Sequence, residues 1–180
     1  MITKEQLNQI LTDNHYITIS TAAVDVVVED VNQMNCSDNE RAMFLAHMIH
    51  ESFGFTRWVE KNGTQMNYTP HYGRGYIYLT YRRNYRAYSR AIFGNPQELD
   101  ENPDRVCESE KTMMRASMWV WENLVRPNGG PSRNNFYLTT KAIKGENEPV
   151  DSYVSLRRYS IYTDLARLLG VTDLAVNEDS

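Results

Sequence analysis

Ser37-Asp38-Asn39-Glu40-Arg41-Ala42-Met43-Phe44-Leu45-Ala46-His47-Met48-Ile49-His50-Glu51-Ser52 is the stretch on which the fold turns. Ser37 followed by Glu40 has the form of a capping box, which opens a helix. Phe44, Leu45, Met48 and Ile49 then recur at helical spacing. The stretch predicts an apolar helix that stops near Gly54 and carries its polar groups, His50-Glu51-Ser52, at the C-terminal end.

Helical signals continue on both sides. Thr3-Lys4-Glu5-Gln6 forms another capping box, with Leu7, Ile10 and Leu11 as the apolar side of a short helix. Ser20 to Met34 reads as a helix through Val24, Val27, Val28 and Val31, although its β-branched run leaves a strand open. Asn62 to Gly75 is rich in Gly, Asn, Thr and Pro and reads as irregular and exposed. Tyr76 to Tyr81 suits a short strand or an extended turn. Tyr85, Tyr88, Ile92 and Phe93 return to helical spacing. Asn102-Pro103 begins a helical region with Val106, Met113, Met114, Met118, Trp119, Trp121 and Leu124, broken at Arg126-Pro127-Asn128-Gly129-Gly130-Pro131. A last helix runs from about Val150 to Leu169 and ends at Gly170. The expectation is a mainly α domain over residues 1–180, with at most a small β-element and a loose tail from about residue 172.

A chain of 180 residues suits one domain with a substantial core. No apolar run approaches the roughly 20 residues needed to cross a bilayer, so membrane insertion is not expected. The N-terminus lacks the layout of a secretory signal, which points to synthesis in a cytoplasm. Cys36 and Cys107 are the two cysteines; one disulfide or two buried thiols are open, and a disulfide-dense scaffold is excluded. The net charge of −4 hides a band from Lys61 to Gln97 that has no acid and contains Lys61, Arg74, Arg82, Arg83, Arg86 and Arg90. That band is either a solvated helix face or a basic wall beside a site for an anionic polymer. Nucleic acid is a poor candidate, since the overall charge repels phosphate and no binding motif is present.

Glu51 and Glu60 concentrate the chemistry. Nine positions apart on one helix, they would lie about 13 Å from each other along the axis and on opposite faces. Gly54 lets the chain turn and bring Glu60 back across a groove. Two carboxylates so placed can protonate a leaving oxygen and activate water or attack a sugar. The bland alternative is an ion-paired Glu51 and a solvated Glu60. His50, Phe53, Phe55 and Trp58 surround the pair, and a dry aromatic setting raises the pKa of a general acid. His47, His50 and His71 invite a metal, but His-Glu-x-x-His fails because position 54 is Gly. Gly73-Arg74-Gly75 lacks the further residues of a nucleotide fingerprint. No metal, nucleotide or organic cofactor is implied.

Taken together, these segments resemble glycoside hydrolase family 19, the chitinases and related peptidoglycan-cleaving phage endolysins. The matching residues are Phe44-Leu45-Ala46 through His50-Glu51-Ser52, Tyr72-Gly73-Arg74-Gly75-Tyr76-Ile77 with Leu79-Thr80, and Asn84-Tyr85. Asn102-Pro103-Asp104, Ala116 with Trp119 and Trp121, Thr139 to Gly145, and Arg158 with Tyr162 before Leu169-Gly170-Val171 complete them. The resemblance spans about Thr3 to Val171. It implies a lysozyme-like helical fold with a central cleft and an inverting hydrolysis. It further implies Glu51 as general acid, Glu60 as general base and Thr80 as a holder of the attacking water. Asn84 would bind substrate, and Glu148 with Arg158 would support Glu51. His50, Tyr72, Arg74, Tyr78 and Lys144 complete the expected binding or supporting set. Two positions depart from the family: Tyr78 where many members carry glutamine, and Lys144 where members usually carry asparagine, which can accept a hydrogen bond as lysine cannot.

The expected partner is therefore a polysaccharide with β-1,4 bonds next to N-acetylglucosamine, acted on by a monomer after release from the cell. The missing signal, the sparse cysteines and the basic band tilt the expectation slightly towards peptidoglycan. Ile92-Phe93-Gly94 and Thr139-Thr140-Lys141-Ala142-Ile143 resemble chitinase segments, so chitin stands beside it. A non-catalytic glycan-binding module, using Tyr72, Tyr76, Tyr78 and Trp58 as stacking surfaces, is the rival from another class.

Overall fold

The structure is a computed structural model that describes residues 1–17 and 21–180. Among the described residues there are eight α-helices: α1 (Lys4–Asp13), α2 (Thr21–Gln33), α3 (Asp38–Glu51), α4 (Arg82–Phe93), α5 (Gln97–Glu101), α6 (Glu110–Val120), α7 (Phe136–Lys144) and α8 (Tyr153–Leu168). Short 3-10 turns and one π-helical turn, Trp121–Val125, join them. Ser20, the first residue of the second predicted helix, lies outside the described residues. The helix reading of Thr21–Gln33 wins over the strand, because Val24, Val27, Val28 and Val31 pack one face into the core.

Helix α3 is the axis of the molecule. Every residue from Arg41 to Ile49 is buried, as expected of a helix enclosed on all sides. Helix α8 runs antiparallel beside it: Tyr162 Oη donates to Asn39 Oδ1 at one end, and Arg158 bonds Glu51 at the other. Phe44 packs on Trp121 and His47 on Phe136, tying α6 and α7 to the same core.

The cap of α3 differs from the sequence expectation. Ser37 accepts from the Glu40 N–H, but the Glu40 carboxylate does not return the bond. It accepts instead from Trp121 Nε1 at 2.9 Å and Arg126 Nε at 2.6 Å, anchoring the turn after α6. At its other end α3 stops at Glu51, near Gly54 as expected, and Phe53, Gly54 and Phe55 follow with φ of +51°, +69° and +68°. A Cβ on Gly54 would also come within 2.8 Å of Tyr16 Cβ. Phe53 and Phe55 adopt the same left-handed backbone with side chains, so it is the close approach to Tyr16 that demands glycine at position 54.

Two further expectations are corrected, and for Tyr76 to Tyr81 the turn is chosen over the strand. Residues 62–75 are irregular and mostly exposed as far as Pro70, but Gly63, His71, Gly73, Arg74 and Gly75 are buried. Tyr76 to Tyr81 forms a turn closed by the isolated antiparallel bridge Arg74–Leu79, beside a second bridge, Val59–Arg74. The tail is held: Asn135 Nδ2 donates to Glu178 O, Asn135 Oδ1 accepts from the Glu178 N–H, Ala175 is buried, and Lys141 pairs with Asp179. Gly170, at φ +80°, closes α8 as expected. Cys36 and Cys107 are free and half-buried. Among the described residues, no helix is long and apolar enough to cross a membrane.

Candidate active site

The end of α3, the irregular segment from Glu60 to Tyr81, the start of α4 and the ends of α6 and α7 surround an open cleft of about 590 Å³. Glu51, Glu60, Tyr78, Thr80, Asn84 and Lys144 all line it. The turn at Gly54 has therefore brought the two carboxylates to one space, Glu51 from the end of α3 and Glu60 from the irregular segment beyond it.

Glu51 sits at the C-terminus of α3 with its side chain 9% exposed. Arg158 Nη2 donates to Glu51 Oε1 and, at 3.1 Å, to Glu148 Oε1, while Arg158 Nε donates to Glu148 Oε2 at 2.8 Å. One guanidinium thus bridges two carboxylates, a geometry suited to its planar fork. Burial pushes the Glu51 carboxyl upwards, but the Arg158 charge and hydrogen bond, with the charge of Lys144, outweigh it and hold the group below its ordinary value. The expectation of a raised pKa in an aromatic pocket is corrected: cations, not rings, dominate here.

Glu60 is held differently. Tyr68 Oη donates to Glu60 Oε1, and the Gly73 N–H donates to Glu60 Oε2 at 2.9 Å. Both donors are neutral, so the carboxylate is oriented without an ion pair. Thr80 Oγ1 and Asn84 stand on the same wall, and Asn84 Nδ2 donates to Thr80 O at 2.9 Å. That bond uses the Asn84 amide nitrogen, and its side-chain oxygen has no hydrogen-bonded partner among the described residues.

The other expected residues are sorted by the structure into wall and support. Arg74 is 2% exposed and bonds Asp104, Pro70 O and Tyr85 Oη, with Tyr72 stacked on its guanidinium at 3.9 Å. Tyr72 and Arg74 therefore lie behind the cleft and brace the turn that carries Gly73; neither touches its surface. Glu148 is buried under Arg158. His50 is also off the wall; burial, then the Arg158 charge, pushes its pKa down to about 4, and its Nδ1 has no partner among the described residues. Of the four suggested stacking rings, Tyr78 alone lines the cleft. Tyr76 is fully buried against Phe55, and Trp58 is exposed outside the lining.

The three histidines do not assemble, and no group able to hold a metal ion is found among the described residues. His71 faces Asp100 at 3.1 Å, and both ring nitrogens of His47 are taken by Thr139 and Arg158. The basic band is largely spoken for as well: Asp100 takes Arg82 and Arg86, and Asp104 takes Arg74. Arg83 lines the cleft with its guanidinium 5.0 Å from the centre of the Tyr81 ring.

Tyr68, Tyr81 and Asn147 join the lining unannounced by the sequence. Tyr68 lies in the segment that reads as irregular, and no spacing rule links it to Glu60. Asn147 follows the end of α7 and could have been suspected from its closeness to Lys144.

A helical fold enclosing a cleft that carries two differently held carboxylates defines the lysozyme-like class. No family model matches the chain. The chain is 29% identical over 156 residues to endochitinase EP3 of Arabidopsis thaliana, covering 78% of this chain and 55% of that protein. It is 33% identical over 147 residues to a second Arabidopsis thaliana endochitinase, covering 74% and 49%. The chain spans about half the length of the curated relatives it matches. Its fold superposes on the family 19, class IV chitinase from Zea mays with a TM-score of 0.69 at 21% identity, covering 96% of this chain and 94% of that one. In sequence and in fold the chain resembles the chitinases of glycoside hydrolase family 19.

Proposed function

We propose that the protein is an inverting glycoside hydrolase that cleaves β-1,4 bonds next to N-acetylglucosamine, with chitin as its substrate. The observation that carries this reading is the shared cleft of Glu51 and Glu60, one held by a cation and the other by neutral donors. Glu51 is the general acid for the leaving oxygen, and Glu60 is the base that draws a proton from water. Arg158 orients Glu51. Thr80 helps to place the water, Asn84 offers its amide to the sugar, and Tyr78 gives a ring for stacking. Only water is consumed. The similarity to endochitinases supports chitin over the peptidoglycan preference suggested by the basic band, most of whose arginines are already paired.

One observation keeps a glycan with carboxylate groups as a second reading. Arg83 and Lys144 both line the cleft, and neither has a carboxylate within ion-pair distance among the described residues. An acidic strand such as peptidoglycan would supply those carboxylates. Either polymer lies outside the cytoplasm, so the protein works there after release.

The test is incubation with chitin oligomers and with purified peptidoglycan, followed by mass analysis of the fragments. Chitin fragments gaining one water, with new reducing ends, are expected. Glu51→Gln should lower turnover by about 10²-fold or more while retaining glycan binding. Unchanged oligomers, with binding intact, would instead mark a glycan-binding module.

A further inference from the structure

We infer that His47 is a positioning residue for Glu51, acting through Arg158; the inference rests on the reading of Glu51 as the general acid. His47 is completely buried in the middle of α3, its ring stacked on Phe136 with centroids 4.7 Å apart and planes 4° from parallel. It lies one turn before Glu51 on the same helix and is absent from the cleft lining. Substrate cannot reach it, so any effect must travel through a neighbour.

The hydrogen bonds give the direction of that effect. Arg158 can only donate, so its Nη1, 3.2 Å from His47 Nδ1, requires that nitrogen to be the unprotonated acceptor. The ring proton is then on Nε2, which faces Thr139 Oγ1 at 2.7 Å. The Thr139 hydroxyl gives its own proton to Phe136 O at 2.6 Å, leaving its oxygen free to accept from His47. Every proton in the row Phe136–Thr139–His47–Arg158 has one place. A charged imidazole would set two donors against each other beside a cation, so the neutral ring belongs to the design.

The guanidinium is consequently fixed on three sides: Glu148 holds Nε, His47 holds Nη1, and Nη2 is left aimed at Glu51. Without His47, a buried N–H loses its acceptor and the plane is free to tilt. The same row also ties Arg158 to α7, the helix whose Ala142, Ile143 and Lys144 form a cleft wall. The charged groups acting on Glu51 are Arg158 from α8 and Lys144 from α7, with the titratable His50 beside them on its own helix, and His47 adjusts the first of them.

The test compares His47→Leu, which keeps bulk but removes both polar atoms, with His47→Gln, whose amide keeps one acceptor and one donor. Turnover of N-acetylglucosamine oligomers is followed against pH in the full chain. For His47→Leu, kcat should fall about tenfold with KM within about twofold. The alkaline limb should move to higher pH, because a tilted Arg158 pulls less on Glu51. His47→Gln should recover most of kcat and the parental limb. A folded His47→Leu variant with parental kcat and limb overturns the inference, as does a His47→Gln variant equally impaired. Should His47→Leu not fold, Thr139→Val is the substitute: it frees the ring to turn, and an unchanged kcat and limb there are equally fatal. Glu51→Gln separates the two layers, since an active Glu51→Gln would remove the reading of the cleft rather than the role of His47 within it.

Discussion

Glu60 and Gly73 exchange two hydrogen bonds: the Glu60 N–H donates to Gly73 O at 2.8 Å, and the Gly73 N–H donates to Glu60 Oε2 at 2.9 Å. The first sets the backbone of the proposed base and the second sets its carboxylate. A glycine pair that looks like punctuation in the sequence is thus part of the mounting of Glu60.

Gly73→Ala should damage that mounting. An added Cβ would lie 2.6 Å from both Cβ and Cγ of Tyr78, at the root of a side chain that cannot swing away. Overpacking of this kind costs about 1–3 kcal/mol. Thermal denaturation should show a fall in Tm of roughly 2–10 °C, with turnover reduced further because Tyr78 and Glu60 share the cleft. A variant that melts and turns over like its parent would contradict the close approach.

Much of this was readable beforehand, and the reason is local. Helix α3 announces itself because burial on all sides needs an apolar run, and Gly54 because no side chain fits there against Tyr16. Glu51 with Arg158, 107 residues apart, is not a local matter; only the family resemblance suggested it. Tyr68 with Glu60 depends on an irregular path that no periodicity encodes. The tail misled for a related cause: Asn135 captures it through backbone groups of Glu178, and backbone groups leave no mark on a sequence.

Tyr68→Phe isolates the second contact on Glu60. The phenol Oη donates to the carboxylate, and a hydrogen bond to a charged group contributes about 1.5–3 kcal/mol. Losing it frees one oxygen of the base to rotate while Gly73 keeps the other. Turnover of chitin oligomers should fall about tenfold with little change in KM. A loss confined to KM would mean that Tyr68 serves the sugar rather than Glu60.

Acid should destabilise the fold in two stages. Burial and the Arg158 charge depress the pKa of His50 to about 4 from an ordinary 6.5 and push that of His47 well below 6.5. The unfolded chain therefore takes up these protons first, and stability is full above about 6.5 and falls as pH drops towards 4. For His50 the full effect is on the order of 3 kcal/mol. Glu51 acts lower: its depressed carboxyl stabilises the fold above 4.5 and ceases to do so as pH falls through its folded value. Urea unfolding at pH 7, 5.5 and 4 should show a decline already under way at 5.5. His50→Gln should flatten the upper part, and an unflattened decline would assign it elsewhere.

Lys144→Asn should act on rate and on substrate choice together. Lys144 lines the cleft without a carboxylate partner among the described residues, and its charge helps to hold the Glu51 carboxyl down. A general acid must carry its proton, so activity is lost as pH rises through its pKa. Removing the ammonium lets that pKa rise, and the alkaline limb of kcat/KM on chitin oligomers should move to higher pH. On a glycan bearing carboxylates the same change also removes a counter-ion, so relative kcat/KM should shift towards the neutral polymer, more at low salt than at high. An alkaline limb that stays in place would mean that Lys144 is drawn away from Glu51 once sugar fills the cleft, leaving Arg158 alone to set the acid.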